Sequence, residues 1–104
     1  MIEAALRMAA RSNCNYQHGA VIAKAGRPLF KGINRDKTHP RWGVGYKNKI
    51  HAELDAIRQA HYEGCPERLY GATIYIARGD GGISKPCRWC QKWIAKYRMR
   101  VVHT

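Results

Sequence analysis

A chain of 104 residues suffices for one domain around a single core and is too short for two. Its 19 Lys and Arg against 7 Asp and Glu give a net charge of +12 with neutral histidines, which attracts polyanions but by itself chooses no substrate. No apolar run approaches a membrane span and Met1-Ile2-Glu3 does not open a signal peptide, so a cytoplasmic protein with reduced thiols and no membrane partner is expected.

No internal repeat, low-complexity tract or linker divides the chain. Over residues 2–12, Ile2, Leu6 and Ala9 recur at helical spacing with Ala5 beside them, which predicts an amphipathic helix. Gly19-Ala20-Val21-Ile22-Ala23 and Pro28-Leu29-Phe30 flank Lys24-Ala25-Gly26-Arg27 and read as a hairpin. Residues 34–48 are polar and aromatic, with Pro and Gly and without a period, and read as a loop at the mouth of a site or as a long connection. From Ile50 to Tyr62 a helical stripe returns through Ile50, Leu54, Ile57 and His61. Residues Ala72–Ala77 read as a buried strand, Gly79–Gly82 as loop, Cys87–Tyr97 as a helix and Arg100–His103 as a last strand. Strand, helix, strand at the end predicts a parallel crossover and an α/β sandwich.

Chemistry concentrates in His51-Ala52-Glu53 and Pro86-Cys87-Arg88-Trp89-Cys90. His51, Cys87 and Cys90 form a borderline-soft NS₂ donor set that suits Zn²⁺ and leaves a fourth tetrahedral position for water. Glu53 supplies a carboxylate beside that position without being needed as a ligand. In a helix interior His51 and Glu53 would point to nearly opposite faces, so the pattern makes sense only if the site sits over a helix N-terminus. Cys87 and Cys90, at i and i+3, share a face, and Pro86 suits a helix start. Two helix N-termini facing one metal would favour thiolates over thiols. Trp89, between the cysteines, is the aromatic expected to line the pocket, while Trp42, Tyr46 and Trp93 are able to stack on bases or to fill the core.

The same residues admit other readings. Cys87 and Cys90 fit a redox pair at a helix start, although that account uses neither His51 nor Glu53. Cys14 or His18 would close the zinc site structurally if either joined the two cysteines. Cys14 and Cys65 otherwise read as ordinary thiols, and Asn34 would simply finish a turn.

The chain resembles the cytidine/deoxycytidylate deaminase superfamily, in the branch whose first zinc ligand is histidine. The matching text runs in order through Gly19-Ala20-Val21-Ile22, Gly32-Ile33-Asn34, His51-Ala52-Glu53-Leu54-Asp55-Ala56-Ile57, Gly71-Ala72-Thr73-Ile74-Tyr75-Ile76 and Ser84-Lys85-Pro86-Cys87-Arg88-Trp89-Cys90. The resemblance implies a single domain over residues 1–104: a three-layer α/β/α sandwich with a mixed sheet of four to five strands. It implies one zinc ion per chain on His51, Cys87 and Cys90. A zinc-bound hydroxide would attack the amino-bearing ring carbon of cytosine or adenine, with Glu53 as proton shuttle. It implies further that the backbone near Ala52 and Cys87 holds the base, and that Asn34 touches base or sugar.

Two departures from the family pattern matter. The segment from Arg78 to Lys85 is longer than in tRNA adenine deaminases, which favours cytosine in a nucleotide of dCMP or cytidine type, or in single-stranded nucleic acid. Adenine in tRNA is the alternative, and a basic nucleic-acid-binding module with structural zinc is the non-catalytic one. The chain also carries about four strands where the family core has five, so an edge is left over and a homo-oligomer is expected.

Overall fold

Five consecutive core residues, Gly19 to Ala23, mark a strand buried on both faces, and such a strand belongs in the middle of a sheet. The computed structural model describes residues 1–38, 42–43 and 49–104. Its elements in chain order are α1 (Ile2–Ala9), β1 (His18–Lys24), β2 (Arg27–Ile33), β3 (Arg35–Thr38), β4 (Lys49–Ile50), α2 (Ala52–Tyr62), a 3₁₀ turn (Pro66–Leu69), β5 (Thr73–Arg78), α3 (Arg88–Lys96) and β6 (Arg100–His103). The main sheet has the order β2-β1-β5-β6, with β1 central. β1 runs antiparallel to β2 and β5, while β5 and β6, joined through α3, run parallel. The sheet is mixed and four-stranded.

Alternation along the strands sorts the helices. Val21 and Ala77 pack with Ala5 of α1 on one face. Ala20, Ile22, Ile74 and Ile76 pack with Leu54 and Ile57 of α2 and with Cys90 and Ile94 of α3 on the other. The expected three-layer α/β/α sandwich is the observed architecture. The hairpin turns on only two residues, Ala25 and Gly26, at φ of 53° and 77°. Positive φ at both central positions is what a tight hairpin with right-twisted strands requires. Pro28 is tolerated in β2 because β2 lies at the sheet edge, beside a bulge between Ile22 and Ala23.

Three boundaries differ from expectation, the first being α1, which ends at Ala9 instead of running to residue 12. α2 starts at Ala52 rather than Ile50, because Ile50 pairs with Arg35 in a short ladder between β3 and β4. The same ladder converts part of the segment read as loop, 34–48, into strand. Residues 39–41 and 44–48 of that segment, Tyr46 among them, lie outside the described residues.

The placement of α2 rests on a glycine. A Cβ at Gly32 would lie 2.4 Å from both the Ala52 carbonyl oxygen and the Ala56 nitrogen, so helix backbone rides on strand backbone with no side chain between. Asp55, one turn into α2, clamps the same junction. Its carboxylate accepts the Ile33 amide N–H at 2.9 Å, Arg58 Nε at 2.7 Å and Arg35 Nε at 3.3 Å. Gly32→Ala is expected to cost about 1–3 kcal/mol through overpacking against atoms that cannot rotate away. Urea denaturation measures that loss, and zinc content should fall with it as the start of α2 is displaced.

Candidate metal centre and active site

His51 and Cys87 are the N-cap residues of α2 and α3, both in extended conformation at φ/ψ of −82°/155° and −72°/167°. An N-cap side chain leaves the chain before helical geometry begins, so His51 is not bound to the face opposite Glu53, and one site serves both. Cys90 lies in the first turn of α3 and Glu53 in that of α2. Two helix starts meet, as the spacing predicts.

His51 Nδ1 is 3.3 Å from Cys87 Sγ and 3.6 Å from Cys90 Sγ, and the two sulfurs are 3.5 Å apart. Ligands at about 2.3 Å for sulfur and 2.0–2.1 Å for nitrogen around tetrahedral zinc are separated by roughly 3.5–3.8 Å. The triangle therefore has the dimensions of one face of a zinc tetrahedron, and its donors are the kinds zinc takes. Among the described residues no fourth His, Cys, Asp or Glu joins the group. Cys14 instead donates to the Asn34 carbonyl at 3.5 Å, and His18 Nδ1 hydrogen-bonds Ser84 Oγ at 2.8 Å. The closed structural site therefore has no support, and the three-ligand set stays open on one side.

The electrostatics favour a thiolate at Cys87 that shares the proton of its Cys90 neighbour. The hydrogen bond to Cys90 holds the Cys87 thiol down at about 4, against its burial, with His51 adding to the effect. The same bond, together with burial, pushes the Cys90 thiol up. His51 is raised by its hydrogen bond to Cys87. Burial raises the Glu53 carboxyl, opposed by its own amide and by His51. With only 6% of its surface exposed, Glu53 can hold a proton as well as release one.

A cavity of about 270 Å³ opens over the centre, lined by Tyr16, His18, Asn34, His51, Ala52, Glu53, Ser84, Lys85 and Cys87. Asn34 and Ala52 thus line the cavity. The Asn34 amide already bridges two backbone groups, accepting the His18 N–H at 2.9 Å and donating to the Tyr16 carbonyl at 2.7 Å. One hydrogen and one lone pair remain for a ligand. Trp89 is not part of the lining. Its position on α3 turns the ring outward, 47% exposed, with Arg88 and Lys92 over it. Trp42 and Trp93 pack with each other at 4.9 Å between ring centroids and belong to the interior.

His18 and Ser84 were not anticipated as wall residues of the cavity. The signal was present in part, since His18 precedes Gly19-Ala20 and Ser84 opens the motif that ends at Cys90, but their meeting across 66 residues is tertiary. Burial, Arg78 and His51 lower the His18 pKa, so the ring enters the cavity as a neutral imidazole.

The chain matches, over residues 1–104, a family described as the cytidine and deoxycytidylate deaminase zinc-binding region. It is similar in fold to the cytidine deaminase of Mycobacterium tuberculosis, at 17% identity and a TM-score of 0.74, covering 99% of this chain and 81% of that one. A dCMP deaminase from the cyanophage S-TIM5, solved in complex with dCMP and dUMP, is similar at 22% identity and a TM-score of 0.73, covering 98% and 76%. RibD of Acinetobacter baumannii is similar at 26% identity and a TM-score of 0.61, covering 99% of this chain but only 26% of that one. No curated protein sequence matches significantly. Cys90→Ser is expected to lower bound zinc well below one per chain and to reduce the melting temperature, because metal affinity contributes to folding. Elemental analysis and a thermal scan read the two effects.

Proposed function

The chain belongs to the cytidine and deoxycytidylate deaminase family, and from that premise we propose that it hydrolyses cytosine to uracil in a nucleotide or in single-stranded nucleic acid. It is a zinc-dependent deaminase. The observation that carries the choice of substrate is a cavity of about 270 Å³ in which a buried carboxylate stands beside the three donors. That volume lies at the lower end for small-molecule sites, enough for one pyrimidine with its sugar at the mouth. The long segment between β5 and α3 is the second support for cytosine over adenine in tRNA.

His51, Cys87 and Cys90 would hold a zinc ion, which when bound would supply a water acidified toward neutrality. Glu53 takes the proton, delivers it to the ring nitrogen beside the reacting carbon, and later helps to protonate the departing ammonia. Its burial suits this shuttle, since a carboxyl raised above its ordinary range takes up a proton more readily than an exposed one. The amide of Ala52, in the first turn of α2, has no helical acceptor of its own and is available to a base oxygen. The uncommitted amide hydrogen of Asn34 is available to the base or sugar. His18, Ser84 and Tyr16 supply walls of the same cavity.

Among the described residues no helix is long and apolar enough to cross a membrane. The four free cysteines agree with a reducing, cytoplasmic setting. A homo-oligomer remains the reading of β6, an outer strand whose four residues are all exposed, and light scattering on the purified chain should report more than one copy.

Glu53→Gln is expected to retain zinc and fold while losing about 10²–10⁴-fold in turnover. Ammonia release from dCMP, cytidine and a cytosine-containing single strand measures it. Wild-type activity on none of the three, with zinc bound, would overturn the cytosine assignment.

A further inference from the structure

We propose that the exposed face of α3 is a docking track for single-stranded nucleic acid, leading a cytosine into the cavity at that helix's N-terminus. The proposal rests on the cytosine-deaminase reading and deepens it, by making the substrate a polymer.

Lys85, Arg88, Lys92 and Lys96 follow at intervals of three, four and four residues, and all four are exposed. On α3 the intervals of four align Arg88, Lys92 and Lys96 into one stripe, and Lys85 lies in the segment just before the helix. Lys85 lines the cavity, Arg88 opens α3, and Lys96 closes it. The stripe from Arg88 to Lys96 is about 12 Å long at 1.5 Å per residue, a length that a few nucleotides span.

These cations are unbalanced. α3 contains no acidic residue, and among the described residues none of the four has an ion-pair partner. Elsewhere three of the seven acids pair with other cationic side chains: Asp55 with Arg35 and Arg58, Asp36 with Lys49, Asp80 with Arg78. Arg88 moreover occupies the first turn of α3, where the helix dipole disfavours a cation. The dipole opposes a positive charge there, whereas a polyanion would favour one.

Trp89 adds the second element. Its half-exposed ring sits within the stripe, with Lys92 and Arg88 at 5.1 and 5.7 Å from its centroid. A cationic track with an aromatic platform is the combination that holds single strands without regard to sequence. The cavity accepts a base only when it is unstacked, which a single strand provides and a duplex does not. A second copy of this face is a poor occupant, since it would set like charges against each other.

The test measures binding of a fluorescein-labelled twelve-nucleotide oligodeoxycytidine to the zinc-loaded chain by anisotropy, from 50 to 300 mM salt. Turnover of free dCMP is followed in parallel. Neutralising four phosphates of a single strand predicts a slope of log K against log salt of about −2.8. Lys92→Gln with Lys96→Gln should bring it to about −1.4 and leave dCMP turnover unchanged. Arg7→Gln with Lys31→Gln, removing two exposed charges away from α3, should leave the slope where it was. Trp89→Leu should weaken binding by about 5- to 150-fold, the range for loss of one stacked base. An equal slope in the wild type and the α3 double variant, or no binding at 50 mM salt while dCMP is turned over, would overturn the proposal. Binding that depends on Lys92 and Lys96 without turnover of any substrate would support the track and count against the reaction instead.

Discussion

Everything at the site depends on how closely α2 approaches β2. Helix and strand touch backbone to backbone at Gly32, and a side chain in between would hold them apart by the width of a methyl group or more. The three donors lie within 4.8 Å of one another, a spacing that tolerates no such displacement. His51 and Glu53 hang from the start of α2, Cys87 and Cys90 from the start of α3, and both helices are referred to the same sheet. Gly19 repeats the device on the opposite face, where an added Cβ would meet α1 backbone at 2.3 Å. Two glycines let three layers close to a thickness that side chains elsewhere would forbid.

Charge is distributed in keeping with that frame. The acids of this basic chain are few, and the most deeply buried pair, Glu53 and Asp55, sit two residues apart on α2. They do opposite work. Asp55 is saturated by two guanidinium groups and an amide, so its charge is neutralised and its geometry locked, which is how a buried carboxylate becomes a structural clamp. Among the described residues Glu53 has no cationic side chain of that kind and keeps an elevated proton affinity, which suits it to moving protons. The same helix turn thus holds one carboxylate still and leaves the next one chemically available.

The metal site illustrates what spacing can and cannot say. Cys87 and Cys90 announce themselves by an i, i+3 interval after Pro86, and His51-Ala52-Glu53 by residue type alone. That the two segments face each other follows from the sheet order, which puts β1 between β2 and β5. The wall of the cavity was less legible. His18 and Ser84 are 66 positions apart and carry no shared pattern, and they meet because the start of β1 pairs beside the end of β5. Trp89 shows the converse: its place between two ligands suggested a pocket residue, yet α3 geometry turns it outward.

The sequence by itself determined the alternation of elements, the donor set and its carboxylate, because helix and strand periods and metal-ligand chemistry are local properties of residue type. Periodicity placed α1, the hairpin, α2, β5, α3 and β6 within a few residues. Only the tertiary structure decided which side chains share the cavity, which cations are left without a partner, and that Ile50 joins a strand instead of a helix. Those outcomes turn on contacts between residues far apart in the chain. Their energies depend on packing distance and burial, which no local pattern encodes.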